Sequence, residues 1–214
     1  MKNCYTREQI ETAVKSKGYK WFEGGQYNKI KKRYVVEYDV NIVGVRNMNT
    51  GDKVTNKFDD CMTVSYKDVE GKWLFYCFPC TTDPGKHWVE NLLNKDGVAI
   101  LKEGQYRSSH TIRKHQGKYD ALCQKGPLKV YRDKNKDDVY DLLEENVHEG
   151  IYGINIHKSG SRETGSTQVD KWSAGCQVFA VESDFNKFME IMYAAKVTWG
   201  NAFTYTLINS DDIS

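Results

Sequence analysis

Thr6-Arg-Glu-Gln9 precedes apolar residues at Ile10, Ala13 and Val14. This pattern predicts a capped first helix with one apolar face, ended by Gly18. From Tyr19 to about Tyr131 the period shortens to that of strands. YVVEYDVNIVGV (34–45), MTVSY (62–66), WLFYCF (73–78), VAIL (98–101) and LKVYR (128–132) are β-rich runs. The joints between them carry turn chemistry: Asn49-Thr-Gly51-Asp52, Glu70-Gly71, Asp83-Pro84-Gly85 and Gly126-Pro127.

Asp137 to Glu145 is acidic and predicts a short helical turn. GIYGINIH (150–157) reads as a strand, Lys158 to Lys171 as a polar loop, and CQVFAV as a further strand. Phe185, Phe188, Met189, Met192 and Tyr193 then recur at helical spacing behind a predicted Ser183 cap. AFTYTLI (202–208) predicts a closing strand, and SDDIS a frayed acidic tail. The pattern implies a β-rich α+β fold with one or two packing helices. No repeat and no break in composition marks a second domain.

Composition narrows this little. Charged residues are 28% and hydrophobic ones 39%, ordinary for a globular protein. A net charge of +2 gives no reason to expect nucleic acid. The N-terminus shows no apolar run of signal-peptide length, and no later stretch is long enough to span a bilayer. Synthesis in a cytoplasm without an export signal is the expectation. The 6 cysteines are scattered irregularly, unlike a secreted disulfide framework, and are expected to be mostly reduced.

Chemistry concentrates late in the chain. Strand alternation in Gly153-Ile-Asn-Ile-His157 puts Ile154 and Ile156 on one face, Asn155 and His157 on the other. After the polar loop stands Trp172-Ser-Ala-Gly-Cys-Gln-Val-Phe179. Gly175 permits a close backbone approach, and the amides of Gly175 and Cys176 are candidate oxyanion donors. An imidazole near the thiol of Cys176 would take its proton and allow acyl transfer through a thioester. The plain alternative is a buried cysteine and a structural histidine.

His157, the polar loop, then Ser173-Ala174-Gly175-Cys176 resembles the L,D-transpeptidase catalytic-domain (YkuD-like) family, whose signature is a His, a variable loop and Ser/Thr-His-Gly-Cys. Phage-encoded proteins of this type carry TTDPG, GQY, GINIH and WSAGCQVF in the same order, here 81–85, 104–106, 153–157 and 172–179. The resemblance, carried best by about 81–181, implies an L,D-transpeptidase-like β-sandwich or barrel over 41–214; residues 1–40 match nothing in it and read as an N-terminal helix and strand extension. It implies Cys176 as nucleophile, His157 as base, Gly175 and Cys176 as oxyanion donors and Ser173 as a turn former. The carbonyl of Lys158 would orient His157, with Asn155 as an alternative from strand alternation. Tyr106, His115, Lys158, Trp172 and Gln177 are candidate substrate-binding residues. The family's second histidine stands here as Ala174, and Gln177 follows the nucleophile.

The implied substrate is a peptidoglycan stem peptide, cut at a D-centre beside a meso-diamino acid. No cofactor or metal is called for. The missing export signal favours hydrolysis, as in a phage lysin delivered to the periplasm, cell wall or virion. Two other readings are a binding or structural phage protein with a spent site, and a cysteine peptidase or transferase with a non-wall substrate.

Three further features have simpler readings. Cys77-Phe-Pro-Cys80 lacks the second pair that zinc needs and the helix start that redox chemistry prefers. Ser109-His110 through Asp120 bears a faint likeness to zinc D,D-peptidases, but His110 and His115 read more simply as a solvated turn, with His115 able to line a cleft. KIKKR (29–33) reads as a solvated basic run.

Overall fold

A computed structural model describes residues 5–160 and 164–213. Cys4 and the middle of the 158–171 loop lie outside them. In chain order the elements are α1 (Arg7–Ser16), β1 (Gln26–Asn28), β2 (Arg33–Val35), β3 (Asn41–Arg46), β4 (Asp60–Lys67), β5 (Trp73–Thr81) and α2 (Lys86–Glu90). They continue as β6 (Val98–Leu101), β7 (Gly104–His115), β8 (Tyr119–Gln124), β9 (Leu128–Asp133), β10 (Val147–Gly150), β11 (Ile156–Lys158), β12 (Gln177–Phe179), α3 (Glu182–Trp199) and β13 (Phe203–Asn209).

Eight strands close into a barrel in the order β11-β12-β5-β4-β3-β13-β7-β8. Most pairs are antiparallel, but β11 runs parallel to β12 and β13 parallel to β3. Period-two alternation divides the residues between inside and outside. Ile42, Met62, Val64, Phe78, Cys80, Ile156, Phe179, Tyr205 and Leu207 belong to the main core. Val43, Val45, Cys61 and Ile208 face outward and are covered by Ile10, Ala13 and Val14 of α1. The N-terminal helix thus packs directly on the barrel wall. Cys77 joins this outer cluster while Cys80 lies in the main core, so the two thiols sit on opposite faces of β5.

Beside the barrel, β10-β9-β6 form a three-stranded sheet. Val98, Ile100 and Tyr131 pack there against Val54, Val89 and Tyr140. α3 buries Phe185, Phe188, Met189 and Met192 in the main core, with Phe185 edge-on and Phe188 tilted against the Phe179 ring. No helix among the described residues is long and apolar enough to cross a membrane.

Several expectations are corrected. The 34–45 run is two strands, because Tyr38 turns the chain at φ 59°. The 150–157 run is also broken, with Gly153 at φ 74° between β10 and β11. The acidic 137–145 stretch contributes only the start of a single 3₁₀ turn, Glu144–Asn146. Val181, not Ser183, caps α3. The acidic tail is ordered through a 3₁₀ turn, Ser210–Asp212, tied to Lys17 by Asp212. His110 is no solvated residue: it lies on β7, fully buried, with Nδ1 2.9 Å from Ser109 Oγ and Nε2 3.1 Å from the Ile154 carbonyl.

Candidate active site

The parallel pairing of β11 with β12 sets Ile156 opposite Gln177 and His157 opposite Val178. Ile156 and Gln177 point into the barrel, which leaves Asn155, His157 and Cys176 on the outer side. The Asn155 carbonyl accepts the Gln177 amide at 2.9 Å, so the residue before β11 is locked to the residue after Cys176. A cleft of about 470 Å³ opens there, lined by His115, Tyr119, His157, Lys158, Trp172 and Cys176 among others.

Local chemistry explains the turn that carries Cys176. The Ser173 hydroxyl donates to the Cys176 carbonyl at 2.7 Å and accepts the Gly175 amide at 3.2 Å. Gly175 sits at φ 126°, and a Cβ on it would lie 2.4 Å from the Ala99 carbonyl. Only glycine fits. The segment Thr81–Gly85 braces the same turn from behind. Gly85 N–H donates to the Ser173 carbonyl at 2.8 Å. The buried Asp60 accepts Thr82 N–H at 2.6 Å, and Arg46 pairs with Asp83 at 2.8 Å.

The expected Gly175 oxyanion donor is therefore corrected, since that amide is already taken by Ser173. The Cys176 amide makes no hydrogen bond among the described residues and remains available.

His157 is held from behind. Its Nδ1 lies 2.7 Å from the Lys158 carbonyl. A carbonyl only accepts, so Nδ1 carries the proton and Nε2 keeps its lone pair. Tyr119 hydroxyl donates to the same carbonyl at 3.3 Å. Asn155 does not orient His157, contrary to the strand-alternation alternative. Its Oδ1 accepts Gln124 N–H at 2.9 Å, which leaves Nδ2 as the donor to His115 Nδ1 at 3.1 Å. His115 is thereby fixed with its proton on Nε2, and its ring stacks on that of His157.

The electrostatics keep both partners neutral. Burial, with the charge of His115 adding to it, lowers His157 to about 4, against the opposing pull of the Lys158 carbonyl. Burial raises the Cys176 thiol to about 11. Sγ lies 3.4 Å from both the Asn155 amide and the Gly153 carbonyl, and no hydrogen bond joins it to His157 among the described residues. The resting site holds a neutral thiol and a neutral imidazole in one cleft.

The remaining candidates divide. Trp172, 44% exposed, lines the cleft. Lys158 also lines it, with Nζ paired to Glu182 and poised over the Tyr119 ring. Tyr106 does not reach the cleft: its hydroxyl donates to the Lys102 carbonyl at 2.6 Å. Gln177 is fully buried inside the barrel, where it accepts Tyr205 hydroxyl at 2.7 Å and donates to the Thr82 carbonyl at 3.2 Å. Both are corrected to structural residues. Sequence reasoning missed Tyr119 and Trp88 as cleft residues. Neither lies in a motif, and only the pairing of β8 with β11 brings Tyr119 to His157.

No family model, curated protein or solved structure matches the chain.

Proposed function

We propose that the chain is a cysteine-dependent acyl-transfer enzyme of L,D-transpeptidase-like fold that cuts peptidoglycan stem peptides. The observation that carries this reading is the shared cleft of Cys176 and His157, with His157 held by the Lys158 carbonyl so that Nε2 is the free base.

In this reaction Sγ attacks the peptide carbonyl while its proton passes to His157 Nε2. The Cys176 amide donates to the developing oxyanion. As the tetrahedral species collapses, the C–N bond breaks and the imidazolium protonates the leaving amine. Water then attacks the thioester, giving its proton to His157, and the thiol is restored as the acid product leaves. Ion-pair formation at rest is disfavoured by the two shifts, so proton transfer belongs to the substrate-bound state. Hydrolysis, rather than cross-linking, is the proposed fate of the thioester.

A carbapenem-type β-lactam tests the acyl-transfer step. Intact-mass measurement is expected to find a covalent adduct on the wild type and none on Cys176→Ala. No adduct on either would remove its support.

The raised thiol, bonded to backbone rather than imidazole, favours one second reading: a binding protein that retains the cleft with spent chemistry. It predicts tight binding of stem peptide with no turnover.

A further inference from the structure

Ala174 separates the thiol cleft from a second cavity of about 350 Å³, lined by Trp88, Leu93, Ala99, Arg132 and Tyr152 among others. Trp88, Leu93 and Ala174 line both, so the two cavities adjoin beside the nucleophile. The second cavity is built on the three-stranded sheet. Arg132 on β9 pairs with Ala99 on β6, and the Ala99 carbonyl packs against Gly175.

Among the described residues, Arg132 is the only cationic side chain lining this second cavity. Its Nη1 donates to the Gly97 carbonyl at 3.0 Å, and its guanidinium lies over the Tyr152 ring at 4.8 Å. Among the described residues it has no carboxylate partner, and its Nε is buried with no hydrogen bond. One nitrogen and one face are thus fixed and Nε is enclosed, which leaves Nη2 as the donor for the cavity that Arg132 lines. Its N–H groups can make a charge-assisted hydrogen bond to a carboxylate oxygen held in the cavity.

We propose that Arg132 forms a carboxylate-binding subsite for the peptide substrate, on the far side of Ala174 from Cys176. The proposal rests on the peptide-cleaving reading above. A stem peptide offers this chemistry from two sources, the side-chain carboxylate of its diamino acid and its terminal carboxylate. The anchored guanidinium would select a substrate carrying that group and set its register across the thiol.

Binding to the Cys176→Ala protein tests the subsite without turnover. The probes are a synthetic stem tetrapeptide, the same peptide amidated at the diamino-acid side chain, and the same peptide amidated at its C-terminus. One amidation is expected to weaken binding about 10- to 100-fold, the range for losing a charge-assisted pair, and it identifies the source. Arg132→Gln should cause the same loss, with no further loss when combined with that amidation. Arg132→Lys should restore only part.

Should Arg132→Gln fail to fold, the amidated peptides on protein retaining Arg132 still decide. Equal binding of all three peptides, or no binding of any, overturns the subsite. Cys176-dependent cleavage of whole peptidoglycan is scored separately, so loss of the peptide-cleaving reading is told apart from loss of the subsite.

Discussion

The imidazole of His115 lies flat against that of His157, with ring centroids 4.2 Å apart and planes 19° from parallel. The two rings carry their protons on different nitrogens, His157 on Nδ1 and His115 on Nε2, because a carbonyl holds one and an amide N–H the other. A protonated His115 would both lose the bond from Asn155 and repel charge on His157. His115→Gln removes that repulsion. His157, held at about 4 in the wild type, is then expected to titrate higher but still below its ordinary 6.5, because burial remains. An NMR titration of the His157 ring checks this, and an unchanged midpoint would show that the stack has no electrostatic role.

The raised Cys176 thiol makes a second prediction. With a midpoint near 11, only about one thiol in ten thousand is ionised at pH 7. Alkylation of Cys176 by iodoacetamide should be slow at neutral pH and climb roughly tenfold per pH unit up to about pH 10. A rate that levels off below pH 8 would mean that the resting site is an ion pair. Intact-mass measurement after Cys176→Ala subtraction separates this thiol from the other cysteines.

Gly175→Ala should destabilise the protein by at least about 2 kcal/mol, combining left-handed backbone strain with overpacking. The new Cβ would meet the Ala99 carbonyl at 2.4 Å, and backbone does not step aside as a side chain does. Gly160→Ala is the control. Among the described residues its Cβ would meet only the Trp172 ring edge at 3.4 Å, an ordinary contact, so a change within about 0.5 kcal/mol is expected. Urea denaturation of the two variants compares them directly.

Acid should unfold the protein partly through its buried histidines. His157 and His110 are both lowered to about 4 by burial. Between about pH 4 and 6.5 the unfolded chain binds more protons than the folded one. Their contribution is therefore complete above pH 6.5 and lost as pH falls toward 4. Asp60, raised to about 7 by burial and by Asp83, works in the opposite direction. The comparison is accordingly between the wild type and His157→Gln, whose melting temperature should fall less steeply from pH 6.5 to 4.

Local signals in the chain were legible and distant ones were not. The Thr6–Gln9 capping box forms as its spacing indicates, with Gln9 N–H donating to Thr6 Oγ1 at 3.2 Å. Alternation correctly separated Ile154 and Ile156, which enter the core, from Asn155 and His157. The long strand β7 escaped because RSSHTIRKH is polar and half of it faces solvent, so it gives no apolar alternation. His115 reaches the site only because β7 pairs with β8 and β8 with β11, long-range contacts that no local period encodes. Gln177 misled for the same reason. A polar residue beside a candidate nucleophile suggests substrate contact, yet the barrel supplies buried partners for it in Tyr205 and Thr82.

Digestion of purified peptidoglycan, followed by mass analysis of the fragments, tests the central assignment most directly. Wild-type protein should release fragments whose stem peptides end in a new carboxylate. An acid-quenched sample should retain a peptide joined to Cys176 as a thioester. Cys176→Ala should yield neither. Fragment patterns identical for the wild type and Cys176→Ala would contradict the account.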